Sequence, residues 1–155
     1  MTSLQRMITV VAVLFTLPAQ ALFSDPEIVI YRFAGVRDDG GINNVGVATV
    51  FVCTNYSGAT ENVRWVTRGP NGDLLTNAVT VMNHLTTVTA STHPTLAYFN
   101  NLNLNTGQVQ QGTTAIAATS ANVICTAMAL DAANAKPDGV ALRGVRFNPA
   151  PGSQE

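Results

Sequence analysis

The sequence predicts an all-β domain, an antiparallel β-sandwich of about eight short strands. Three observations carry this. Runs of β-branched and aromatic residues recur between Gly, Pro and Asn clusters at sandwich spacing. After the first apolar segment no sustained helical period appears. The 155 residues are 46% hydrophobic but only 11% charged, with 19 Thr, 14 Asn and a single lysine, Lys136. A closed β-barrel is the alternative arrangement of the same strands.

The composition also excludes classes of function. Intrinsic disorder needs low hydrophobicity and high net charge, whereas the formal charge here is −1. A nucleic-acid partner needs a basic surplus to neutralise phosphates, and none exists. A coiled coil needs an Ala, Glu, Lys, Leu and Arg richness that is absent.

Residues 1–21 read as an export signal. Arg6 supplies the positive start, Met7 to Leu17 is an apolar core, and Ala19-Gln20-Ala21 is a small-x-small cleavage site. The core has 11 residues, too few to span a bilayer as a helix. Pro18 breaks that helix just before the cut. An uncleaved anchor or a buried helix is the alternative. Cleavage after Ala21 leaves 134 residues, Leu22 to Glu155, with seven basic and nine acidic groups. The mature chain has no further apolar run long enough to be a transmembrane segment. The expected location is extracytoplasmic, periplasmic or secreted, by a Sec-type route from a bacterial cell. Residues 22–147 form the single domain, and 148–155, with two prolines and a glycine, a loose tail.

The strands follow in order. Glu27 to Val36 has β-branched and aromatic bulk and stops at Asp38-Asp39-Gly40-Gly41. Val45 to Cys53 is apolar on both faces, the pattern of a central strand. Asn62 to Arg68 alternates, with Trp65 inward and Arg64 and Arg68 outward. Gly69-Pro70-Asn71-Gly72 predicts a hairpin to Asp73–Met82, because Pro presets the first corner and Gly takes the left-handed position. Thr86–Thr89 and Thr95–Phe99 are further strand candidates, with an Asn-rich loop from Asn100 to Gly107. Gln108–Ser120 and Ala121–Leu130 come next, although Ala115–Ala118 can also turn helical. Asp131–Gly139 is a connection, and Val140–Phe147 the last strand.

Cys53 and Cys125 both sit in β-like runs. Export makes a disulfide the default for an even pair, and buried free thiols the alternative. The bond would join two sheets or two neighbouring strands, with Cα atoms roughly 4.4–6.8 Å apart.

The block from Gly46 to Asn55, with Ile124-Cys125-Thr126-Ala127 and the stretch from Ala141 to Pro149, resembles small exported bacterial proteins of unknown function. That resemblance implies a location and no activity. The order Cys53, Trp65, Cys125 is also similar to immunoglobulin-like domains, where a buried Trp packs on an inter-sheet bond. Val123 stands where their tyrosine corner would be. This second resemblance implies architecture only.

Catalytic and metal signals are weak. His84 and His93 are nine apart, with no His-x-x-x-His or Cys-x-x-Cys spacing, and read as surface or strand-end imidazoles. Ser91, His93 and several Asp exist, but no Gly-x-Ser-x-Gly elbow does. Asp38 and Asp39 with Asn43 and Asn44 offer oxygens to calcium, yet Asp-Asp-Gly-Gly is ordinary turn chemistry. Asp131 and Asp138 show no glycosidase spacing. Arg64, Arg68, Arg143 and Arg146 are the candidate surface-binding residues for an anionic glycan or lipid head group, against the plainer reading of a solvated strand face. No catalytic residue, metal or cofactor is expected.

The expected function is that of an exported, disulfide-stabilised, non-enzymatic β-sandwich with a binding or surface-structural role toward a protein or glycan. Two alternatives stand beside it: a secreted hydrolase, and a subunit of a surface assembly joined by β-augmentation.

Overall fold

The computed structural model describes residues 27–41, 43–136 and 138–147. The expected signal and tail lie outside the described residues. Two five-stranded sheets face each other without closing into a barrel. The strands are β1 (Ile28–Asp38), β2 (Val47–Asn55), β3 (Glu61–Arg68), β4 (Leu74–Met82), β5 (Thr87–Ser91), β6 (Leu102–Asn103), β7 (Val109–Ala118), β8 (Val123–Asp131), β9 (Gly139–Leu142) and β10 (Gly144–Arg146). The first sheet runs β10-β1-β7-β3-β4 and the second β6-β5-β2-β8-β9. All pairings are antiparallel except the short β5–β6 contact. The chain is thus an all-β sandwich, as its patterning predicts.

The core lies between the sheets. Trp65, Phe33, Phe51, Ile30, Met82 and Ile116 are its largest fully buried side chains. Register explains the alignment: Tyr31, Ile116, Trp65 and Ala78 stand opposite one another across β1, β7, β3 and β4. Phe33 meets Phe51 of the other sheet edge-on, with ring centroids 5.6 Å apart. That geometry suits the ring quadrupoles.

β2 is central and buried on both faces. Phe51 and Cys53 face the first sheet. Ala48 and Val50 point the other way, yet neither is exposed. The segment after β5 covers them: Leu96 N–H donates to Ala132 O at 2.9 Å, and the Tyr98 hydroxyl donates to Met128 Sδ at 3.6 Å. Thr95–Phe99 therefore forms no strand. It is a covering loop, held by these two bonds to the β8 side, with Thr95 buried and Leu96 and Phe99 exposed. The one extra pairing arises inside the expected Asn-rich loop, as β6.

Cys53 and Cys125 are bonded, opposite each other on adjacent strands of one sheet. Their Cα atoms are 4.1 Å apart, closer than the expected range. The closeness is that of a non-hydrogen-bonded antiparallel pair. The bond does not join the two sheets, so the immunoglobulin comparison fails at the residues that suggested it.

Val140–Phe147 is not one strand. It is β9 in one sheet and β10 in the other, and the chain crosses between them at Arg143. The Gly69–Gly72 hairpin forms as expected: Gly69 N–H donates to Asp73 O, and Gly72 has φ +83°. Ala115–Ala118 is extended, because it is paired on both sides by β1 and β3.

Trp65 faces inward and is fully buried, but its indole N–H has no hydrogen-bond partner. Trp65→Ala is expected to lower unfolding free energy by about 3–5 kcal/mol in denaturant titration. The value belongs at the lower end, since the unpaired donor leaves with the ring.

Candidate functional site

The connections β1–β2, β5–β6 and β6–β7 gather at one end of the sandwich. There Asp38, the last residue of β1, is buried. Its Oδ1 accepts the Gly40 N–H at 2.7 Å. Its Oδ2 lies 2.9 Å from His93 Nδ1 and accepts the Thr106 hydroxyl at 3.3 Å. The other imidazole nitrogen, Nε2, donates to Val45 O at 3.1 Å. His93 is therefore a buried clasp, not the surface imidazole that its neighbourhood in sequence suggests.

Both ring nitrogens face groups that accept. Thr49 completes the joint. Its hydroxyl accepts from Arg37 N–H at 2.9 Å and donates to Arg37 O at 2.8 Å, linking β2 to β1 across the sheets. Its own N–H donates to Thr92 Oγ1 at 3.0 Å.

Asp39 holds the β1–β2 loop. Its carboxylate accepts the Val47 N–H at 2.8 Å and the Gly41 N–H at 3.3 Å. The Val47 bond most of all, then the Gly41 bond and the charge of His93, keeps this carboxyl below its ordinary value of 3.8, against the opposing effect of desolvation. Gly46 has φ +77°, and a Cβ there would overlap the Asp39 carboxylate. Only glycine suits that corner.

Above the clasp is an open, polar cavity of about 300 Å³, lined among others by Asn43, Thr92, His93, Asn103 and Asn105. Left-handed backbone concentrates around it, at Gly40, Asn44, Gly46, Asn105 and Gly107. Asn100 and Asn101 are spent on structure, bonding Ser91 and the backbone of Thr89. The side-chain amides of Asn43 and Asn105 make no hydrogen bond among the described residues and are free to meet a ligand. Sequence reasoning offered Asn43 and Asn44 only as calcium ligands and missed Asn103 and Asn105. The Asn-x-Asn-x-Asn spacing of residues 101–105 was the available signal.

The calcium arrangement is not formed. Asp38 and Asp39 already accept from backbone, hydroxyl and imidazole. Among the described residues no three His, Cys, Asp or Glu side chains converge as metal ligands. His84 is exposed on the β4–β5 turn, where its Nδ1 accepts from Gly58 N–H at 3.1 Å.

The four candidate arginines do not form one patch. Arg64 is half-buried, its guanidinium forked onto Glu27 with Nε to Oε2 at 2.8 Å and Nη2 to Oε1 at 3.3 Å. Arg68 is exposed and bonds the turn at Gly72 O. Arg146 lies over the Tyr31 ring, 5.7 Å from its centroid. Arg143 instead joins Arg32, which sequence reasoning passed over, beside a groove of about 290 Å³ with Ala34, Ala115 and Val145. The alternation of β1 that buries Tyr31 and Phe33 turns Arg32 outward.

Comparison with known proteins finds no matching family model, no matching curated protein and no matching solved structure.

Asp39→Asn should destabilise the fold. A carboxyl lowered on folding stabilises above its unfolded value and loses that contribution as pH falls through the folded one. The difference in melting temperature between wild type and Asp39→Asn is therefore expected to be full above pH 3.8 and to close below it. Thermal melts across that range check this.

Proposed function

We propose that the protein is an exported, non-enzymatic binding domain whose loop-end cavity recognises a polar, hydroxyl-rich ligand of the glycan class. The observation that carries the reading is the state of His93. Both of its nitrogens are committed, to Asp38 and to a backbone carbonyl, at 2.9 and 3.1 Å. It serves the wall of the cavity, and proton abstraction from a substrate would require breaking a buried bond. The hydroxyls beside it, Thr92 and Thr106, are tied to Thr49 and Asp38.

What remains available is amide chemistry. Asn43 and Asn105 each present a donor pair and an acceptor, the combination that matches a sugar hydroxyl. The hydrogen bonds of Asp39, Asp38 and His93 tie the loop backbone into a preformed site, which lowers the ordering cost of binding. A chain with only 11% charged residues favours a neutral ligand.

Export supports the same reading. The disulfide suits an oxidising compartment. No helix among the described residues is long and apolar enough to cross a membrane. The segment from Met1 to Ala21 has the three parts of a cleavable signal. The resemblance to small exported bacterial proteins rests on its quoted residues.

The test is retention on a panel of immobilised oligosaccharides. A glycan bound by wild type is expected to lose affinity about tenfold or more in Asn43→Ala/Asn105→Gly, in which glycine keeps the left-handed backbone at 105 so that the melting temperature changes little. Hydrolysis of glycoside or ester substrates that disappears in His93→Ala would install the hydrolase reading instead. N-terminal sequencing of the protein recovered from outside the cytoplasm is expected to begin at Leu22. An N-terminus at Met1 would refute cleavage.

A further inference from the structure

Each sheet has two edges, and three of the four are blunted. β10 has three residues, β6 two and β9 four. Short edge strands are one of the ordinary protections against unwanted pairing. The fourth edge is β4, with nine residues, Leu74 to Met82. It carries no lysine, arginine, acid or proline anywhere along its length. Its partner on one side is β3, and among the described residues no strand lies on the other. Alternate N–H and C=O groups of an edge strand point away from its neighbour and stay unpaired. Along the outer face of β4, Val79 and Val81 are 47% and 62% exposed, an apolar pair beside that open ladder.

We propose that β4 is an interface for a second copy of this chain, pairing antiparallel with its own two-fold mate. The joined sheets would form one continuous sheet of ten strands, with the order of the first sheet repeated in reverse. The occupant follows from charge. An edge that discriminates a foreign strand uses charged or polar side chains to select it. This edge has no charged side chain, and of its polar ones Thr76, Asn77 and Thr80 the Asn77 amide is already taken by Arg64, so it meets itself without like-charge repulsion, and a two-fold contact is self-complementary by construction. A pairing centred on Val79 sets that residue against its counterpart, the kind of β-branched cross-strand contact that stabilises a sheet. The interface lies on the edge of the first sheet, and the proposal stands whatever the loop-end cavity binds.

The experiment uses the full exported chain with its disulfide intact. Sedimentation velocity from micromolar to sub-millimolar concentration is expected to show a monomer–dimer equilibrium. Val79→Lys places equal charges opposite each other at the two-fold, and Val79→Glu does the same with the other sign. Each variant alone should dimerise about tenfold more weakly or worse. An equimolar mixture of the two should recover association, because lysine then faces glutamate. Circular dichroism and melting curves verify that the variants fold. Independently, the β4 amides of wild type should gain protection from hydrogen exchange as concentration rises. A wild type that stays monomeric throughout, a dimer indifferent to both charges, or a mixture no better than its components would each overturn the proposal. So would protection of β4 amides by an added protein but not by concentration, which would make the edge a site for a different strand.

Discussion

The arrangement at the loop end depends on burying Asp38. A carboxylate taken out of water is costly unless its charge is neutralised and its lone pairs are filled. The partner is an imidazole, not one of the chain's seven arginines or its single lysine. It is His93, delivered by the first residues after β5. Once that contact exists, much else follows. The segment after β5 must lie close to the end of β1, which positions it to continue over Ala48 and Val50. The β1–β2 loop must turn tightly enough to bring Val45 O to the imidazole, which explains the left-handed Asn44 and Gly46 on either side of it. Asp39 then closes the loop through Val47. One buried pair thus organises three connections and links the two sheets, and the cavity is the space these connections leave between them.

The fold was legible because its information is local. Alternation in Asn62–Arg68 and the turn chemistry of Gly69–Gly72 each act over a few residues. They yielded β3, the hairpin and the inward Trp65. The continuous apolar run of β2 revealed burial on both faces, although not what covers the second face. The errors arose where long-range contacts override local preference. Thr95–Phe99 has strand-like composition but is used as a cover over β2, reaching Met128, 30 positions beyond Tyr98, and Ala132, just past β8. Val140–Phe147 reads as one strand because the lone Gly144 after Arg143 marks a bulge within a strand as readily as a break between two. Its division reflects the geometry of two facing sheets whose edge strands, β9 and β10, are consecutive in the chain.

The site was less legible for the same reason. Asp38 and His93 are 55 positions apart, and no spacing rule connects them. Read separately, one is a turn aspartate and the other a strand-end histidine, and both descriptions fit their local sequence. Only pairing shows that each is buried. The arginines illustrate the converse. Strand alternation correctly places Arg64 and Arg68 on one face, but shared direction is not shared environment. Glu27 takes up one guanidinium and a turn carbonyl the other, so neither is a free charge on a patch. Arg32 turns outward by the alternation that turns Arg64 outward. It meets Arg143 because the chain changes sheets there, a feature that alternation does not encode.

A low charge content has opposite consequences at the two kinds of surface. Inside the loops it leaves polar recognition to amides and hydroxyls, whose bonds are weaker than charge-assisted ones and so demand a rigid frame to be useful. The frame here is the clasp of Asp38 and His93, together with the Asp39 bonds that close the β1–β2 loop. On the sheet edges it removes the simplest protection, since a lysine placed on an edge strand blocks pairing at little cost to the monomer. Three edges do without that protection by being short. β4 cannot be shortened freely. Ala78 and Met82 complete the core over Trp65 and its neighbours, and the strand must run the length of β3 to do so. Its length is thus set by the core, and its sequence leaves the open side apolar. A strand held long for packing and uncharged along its edge is a surface that the monomer alone does not explain, and pairing with its own copy satisfies both its unpaired ladder and its exposed valines.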